Sequence, residues 1–153
     1  MKRSDMNKTQ TYQKEVYKAF EKFRPRADFP VYPPYHQGLY LEEYFCNAFA
    51  EEATEMKRIF IPVHWTNCYI ASKDQPLPEL QQEIDNLDKN YKYFIVSTHD
   101  DAPRQKLPEG TVCFSAGGNA GDIAIPLACS SIQDPPIAEK DIFCSFMGSV
   151  THP

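Results

Sequence analysis

Two short runs hold the residues best suited to chemistry: His64-Trp65-Thr66-Asn67 and His99-Asp100-Asp101. Each joins an imidazole to hydrogen-bonding neighbours, and each directly follows an apolar run, Ile59-Phe60-Ile61-Pro62-Val63 in one case and Tyr91 to Thr98 in the other. Such groups suit sugar hydroxyls or a general base, which must lie within hydrogen-bond reach of the proton it removes. Asp100 is the first choice as base and His99 the second. His36, His64, Asn67 and Asp101 are candidate substrate contacts, and so is Trp65, whose indole would suit the apolar face of a sugar ring. Equally, polar residues after strands serve as ordinary loop and capping groups, and both readings stay open for each run.

Other patterns exclude chemistry. Ala116-Gly117-Gly118-Asn119-Ala120-Gly121 lacks the first glycine of a phosphate loop, and Asp122-Ile123-Ala124-Ile125-Pro126 after it reads as a short strand instead of the required helix. A turn between two short strands is expected there. Cys113-Phe114-Ser115-Ala116-Gly117 lacks the first glycine of a nucleophile elbow, which argues against a serine hydrolase. Asp100-Asp101 is not an Asp-x-Asp metal motif, and His64-x-x-x-Cys68 has no second ligand pair, so no metal is expected. The five cysteines form no close pairs and read as reduced, small buried hydrophobes.

The elements that must position these residues follow from periodicity. Tyr12, Val16, Ala19, Phe20 and Phe23 recur at helical spacing, predicting a helix over 9–23 that Arg24-Pro25-Arg26 ends. Residues 28–38, rich in proline and tyrosine, predict an ordered extended loop carrying Tyr32, Tyr35 and His36. A helix follows, with Leu41, Tyr44, Phe45, Ala48, Phe49 and Met56 on its apolar stripe. Glu42 and Glu43 stand in its first turn, facing the positive end of the dipole, and Lys57-Arg58 close it. Residues 59–63 predict a buried strand; Pro76 and Pro78 stand where a helix could begin, and Leu77, Leu80, Ile84 and Leu87 continue it at helical spacing; Tyr91 to Thr98 predict a second strand. Strand, helix, strand is a crossover and argues for a parallel sheet. Short strands are expected at 111–115 and 122–126, then a Pro135-Pro136 break and a last strand at 141–147. In an open parallel sheet, ligands lie beyond the carboxyl ends of the strands, where both chemical runs stand.

With 153 residues the chain has room for one globular domain and a real core. Its 16 basic and 21 acidic residues give a net charge of −5, with no basic stripe for a phosphate backbone, so nucleic acid is not an expected partner. No run reaches the roughly 18 apolar residues of a membrane span, and the start lacks an apolar leader core, so a cytoplasmic protein is expected. A core strand so close to the end suggests a chain cut inside the first motif of a further domain.

Taken together, several stretches resemble the amino-terminal half of exostosin-like glycosyltransferases, family GT47. They are Val31 to His36 leading into Leu41-Glu42-Glu43-Tyr44-Phe45, Arg58 to Val63, Tyr93 to Asp100, Asp122 to Pro126 and Ile142 to Ser149, in the family's order. The resemblance implies an α/β fold, a Rossmann-like and mostly parallel sheet with flanking helices, forming the N-terminal domain of a GT-B architecture. It implies inverting transfer of a sugar from a nucleotide-sugar donor to a glycan acceptor. Residues 1–138 would form the acceptor-side domain. Residues 139–153 would open a truncated donor-binding domain, with Gly148 and Ser149 at the start of its donor loop. No cofactor is expected on this chain itself, since the nucleotide-sugar is a co-substrate held by the missing domain. The isolated chain is expected to be inactive. The alternative is a non-catalytic α/β module gripping a carbohydrate or a protein through Tyr32, Tyr35, His36 and Trp65.

Overall fold

The computed structural model describes residues 3–24, 41–48, 57–73, 75–101, 103–116 and 121–126, with side chains from Lys8 onward. The aromatic loop with His36, the strand expected at 141–147, Gly148, Ser149 and the 138/139 boundary lie outside these residues.

The elements run α1 (Arg3–Ala19), a 3-10 turn (Glu21–Phe23), α2 (Leu41–Ala48), β1 (Ile59–Phe60), α3 (Trp65–Ala71), α4 (Pro78–Asp85), β2 (Tyr93–Ser97), β3 (Val112–Ser115) and β4 (Ile123–Ala124). The four strands form one sheet in the order β1-β2-β3-β4, and every pair is parallel. Register is Phe60 against Phe94, Phe94 against Val112 and Phe114 against Ile123. The expected α/β crossover is therefore present. A sequential order is what one half of a doubly wound sheet contains, and no reversal of order falls among the described strands.

Alternation along the strands sends successive side chains to opposite faces. Ile59, Ile61, Tyr93, Ile95 and Cys113 join Val16, Phe20 and Phe23 of the first helical segment, Trp65 and Cys68 of α3, and Leu80, Ile84 and Leu87 in and just after α4. Phe60, Phe94 and Val96 face the other way and pack with Cys46 of α2. Three layers result, with β2 at the centre and all five of its residues buried.

α1 begins earlier than the expected 9–23 and buries Gln13 and Val16 with Ala19 exposed, while Phe20 and Phe23 are buried at the N-cap and end of the 3-10 turn after it. Arg24 closes it in an extended conformation, φ −79° and ψ 156°, which suits a residue before proline. Of the two prolines where this helix could begin, α4 starts at Pro78, because proline is preorganised for a first helical position and has no N–H to leave unpaired, and Leu77, expected on the stripe, is its N-cap. β1 is shorter than its apolar run. Ile61 N still donates to Phe94 O at 3.0 Å, but Pro62 has no N–H, and Val63 N turns back to Ile61 O at 3.0 Å. Lys57 and Arg58, expected to close the second helix, lie in a bend just before β1. Arg58 Nη1 donates to Tyr93 O at 3.2 Å and to Gly110 O at 2.8 Å, pinning the entry sides of β2 and β3.

β3 and β4 flank the glycine-rich stretch. Asp122 serves as a strand residue twice over, its N–H donating to Cys113 O at 2.9 Å and its Oδ2 accepting Cys113 N–H at 2.8 Å. A β-carbon on Gly121 would collide with Ser115 Cβ, so the chain passes here only as glycine.

On the opposite edge, the side-chain amide of Gln13 pairs with the backbone of Phe60 as a strand would. Nε2 donates to Phe60 O at 2.9 Å and Oε1 accepts Phe60 N–H at 2.8 Å, both in the interior. Two buried backbone groups depend on this one side chain. Gln13→Ala is expected to cost about 2 kcal/mol in urea denaturation, whereas the exposed Lys14→Ala should cost under about 0.5 kcal/mol.

Candidate functional site

β1 and β2 are adjacent and parallel, so the runs after them emerge at the same end of the sheet. What lies between them is a carboxylate. Glu42, in the first turn of α2, is 1% exposed and reaches the exits of both strands. Its Oε1 accepts Thr98 N–H at 2.7 Å, Thr98 Oγ1 at 2.9 Å and Thr66 Oγ1 at 2.7 Å, while Oε2 accepts Thr66 N–H at 3.1 Å. The two threonine hydroxyls are 2.8 Å apart. Thr66 N–H belongs to the opening turn of α3, whose N-cap, His64, makes no side-chain cap bond. Glu42 supplies across space the acceptor that the local sequence omits.

This corrects the orientation expected for the second helix. Glu42 and Glu43 are buried, and Tyr44, expected on the apolar stripe, is 56% exposed. The physical reason is the set of donors at the strand exits: each buried N–H left unpaired costs about 1–3 kcal/mol, and a carboxylate tolerates burial only when its lone pairs are filled. Burial lifts the Glu42 carboxyl above its ordinary range, against the pull of the Thr98 and Thr66 hydrogen bonds.

His64 stands behind this group. Asn67 Nδ2 donates to His64 Nδ1 at 2.6 Å, which places the imidazole proton on Nε2, 3.5 Å from Glu42 Oε2. Burial pushes the His64 pKa down to about 4, so the ring is neutral. With one nitrogen occupied by Asn67 and the other turned to Glu42, His64 orients its neighbours.

The first chemical run is thus internal. His64, Trp65, Thr66 and Asn67 are each 2% exposed or less. Trp65 does not offer its indole to a sugar, as its type had suggested, but packs in the core beside Val63 and Cys68. The cause is that α3 begins directly after His64 and turns this segment down onto the sheet. Among the described residues the Trp65 Nε1–H has no partner.

The second run faces outward. His99 is half-buried, and Asp100 and Asp101 are exposed. Asp101 N–H donates to His99 Nδ1 at 3.1 Å, closing a tight turn. The imidazole lies against the Tyr69 ring of α3, with centroids 4.1 Å apart and planes 35° apart. Arg104 Nη2 donates to Tyr69 Oη at 3.2 Å, anchoring that ring at its hydroxyl. Of the two runs that sequence places after strands, only His99-Asp100-Asp101 can meet a ligand directly; the other supports it through Glu42 and Thr98.

Cys46, Cys68 and Cys113 are buried free thiols, as expected. Burial raises the Cys68 pKa to about 12, with the Glu42 charge adding to the rise, and raises that of Cys113 to about 11. Neither offers a thiolate nucleophile at neutral pH. Among the described residues no three His, Cys, Asp or Glu side chains are grouped to hold a metal, and no helix is long and apolar enough to cross a membrane.

Sequence reasoning missed Glu42, Thr98 and Tyr69 as parts of the site. The one available signal was a threonine in each stretch near a strand's end, at 66 and 98. No family model, curated protein or solved structure matches this chain.

Two outcomes follow from the buried pair. Glu42→Ala strands two backbone N–H groups and should cost at least about 3 kcal/mol. Glu42→Gln keeps one oxygen but turns an amide toward Thr66 N–H and His64 Nε2–H, and should fall between Ala and wild type. Denaturation followed through the single tryptophan, Trp65, measures both. For His64 the folded pKa of about 4 lies below the ordinary 6.5, so the unfolded chain binds the extra proton between those values. Stability is then full above about pH 6.5 and falls by up to about 3 kcal/mol as pH drops to 4. The raised Glu42 pKa acts in the opposite sense and trims that loss. His64→Gln should flatten the profile between pH 6.5 and 4.

Proposed function

We propose that this chain forms the acceptor-side half of an exostosin-like glycosyltransferase of GT-B architecture, catalysing inverting transfer from a nucleotide-sugar to a glycan. One observation carries the reading. β1 and β2, which bear two of the stretches that resemble the family, are parallel neighbours whose exits are tied to a single carboxylate, leaving His99, Asp100 and Asp101 outward at the sheet's carboxyl end. That is the end at which open parallel sheets take ligands.

Inverting transfer requires a base that removes the acceptor hydroxyl proton while the anomeric carbon is attacked from the face opposite the leaving group. Asp100, an exposed carboxylate on this turn, is assigned that role, with Asp101 and His99 contacting the acceptor. Glu42 holds the turn in place through Thr98, the residue before it, with His64 and Asn67 behind. Stabilisation of the departing nucleoside diphosphate needs preorganised donors on a facing wall. That wall would belong to a second Rossmann-like domain, whose opening the resemblance implies within residues 139–153.

Titrating the 153-residue chain with an oligosaccharide panel, followed by amide NMR, tests the proposal. Shifts are expected at His99 to Asp101 and Tyr69, with no turnover of labelled nucleotide-sugars. Asp100→Asn should weaken oligosaccharide binding about tenfold or more, the worth of a hydrogen bond to a charged acceptor, with unfolding unchanged. Shifts confined to another surface would overturn the assignment, and robust turnover by this chain alone would contradict the half-cleft.

A further inference from the structure

The hydrogen bonds around the two described histidines fix their protons, and so divide labour between them. His64 Nδ1 accepts from Asn67, and its Nε2–H is turned inward to Glu42. His99 Nδ1 accepts the backbone N–H of Asp101, so a neutral His99 carries its proton on Nε2. A ring in that state presents ligand with a donor. To act as a base through Nε2 it would first have to break the bond that closes its own turn.

The ring is also held against reorientation. Tyr69 lies 4.1 Å from it on one face, Arg104 fixes Tyr69, and the His99 carbonyl accepts the Ser97 hydroxyl at 3.4 Å. Among the described residues Nε2 has no partner, and the ring is half-buried, so a water or a ligand oxygen must take the proton. Carboxylates that only accept follow it directly, at Asp100 and Asp101.

Resting on the glycosyltransferase reading above, we infer that His99 is a specificity-determining hydrogen-bond donor, and that the turn recognises a vicinal diol of an uncharged sugar. Nε2–H donates to one hydroxyl oxygen, and an aspartate on the same turn accepts the proton of the neighbouring hydroxyl. A diol is the chemical match because each hydroxyl both donates and accepts, whereas an anionic group would meet Asp100 and Asp101 as like charges. His99 thereby leaves the list of possible bases and becomes the group that selects which hydroxyl is presented to Asp100.

Two measurements on the full chain test this. Nitrogen-15 NMR of the imidazoles at pH 8 reads the tautomer without any ligand: His99 is expected as the Nε2–H form, and an Nδ1–H form would overturn the inference whatever the chain binds. The second compares His99→Gln, whose amide nitrogen can reach the Nε2 position, with His99→Phe, which keeps the ring contact with Tyr69 but has no donor. With methyl β-D-glucopyranoside as probe, Gln is expected to bind within about threefold of wild type, and Phe about tenfold more weakly. The deoxy analogue lacking the contacted hydroxyl should no longer distinguish Phe from wild type. Equal binding by Phe and wild type would refute the donor role. Failure of the wild-type chain to bind this probe or any member of the oligosaccharide panel would remove the glycosyltransferase reading and the diol with it, a result separable from the tautomer.

Discussion

A carboxylate buried where two strands end is the constraint from which the rest of this end of the molecule follows. An ionised carboxylate leaves water at a cost of several kcal/mol, offset only when all its lone pairs meet donors. Glu42 meets that condition with groups from the α3 opening turn and the β2 exit at once. The three segments can reach this arrangement only together, since any two without the third leave a charge or an N–H bare in the interior. Order at the strand exits is thus cooperative with the docking of α2, and the amphipathic fit of that helix is secondary to where its first-turn carboxylate must go.

The same geometry sorts the residues that share a chemical type. Two histidines stand after two parallel strands, and their side chains alone give no reason to treat them differently. Their surroundings do. His64 is enclosed by α3, which starts at the next residue and buries it, whereas β2 is followed by a turn that leaves its imidazole half in solvent. Protonation follows enclosure: desolvation holds the inner ring neutral, and its two nitrogens serve Asn67 and Glu42. The outer ring accepts the Asp101 N–H at Nδ1 and lies half-buried against Tyr69.

Much of the framework was legible from residue patterns because it is written locally. The β-branched and aromatic run at 91–98 and the proline-led stripe of Leu80, Ile84 and Leu87 gave β2 and α4, and their alternation gave the parallel crossover. α3 was not legible, since a helix that begins directly after a strand, with no capping side chain, has no start signal. Glu42 was read as a dipole partner because its real partners stand 24 and 56 residues away, a separation at which pattern gives no information. For the candidate site, residue types single out both runs after the strands but do not tell which of them faces outward, since that depends on where the chain turns next. The inward fate of Trp65 was not legible, because an indole beside polar residues looks the same whether the chain folds it toward ligand or toward core.

The Gln13 amide beside Phe60 gives the sheet a direction. A side chain that occupies both the N–H and the C=O of one strand residue leaves a neighbouring chain nothing to pair with there, so at Phe60 the β1 margin is closed to recruitment, whether by another copy of the molecule or by a stray extended peptide. Among the described residues, the margin left for growth is β4, where Ile123 is 44% exposed. Lateral extension of the sheet is therefore one-way among the described residues, and a helix residue far from either margin's own sequence is what makes it so.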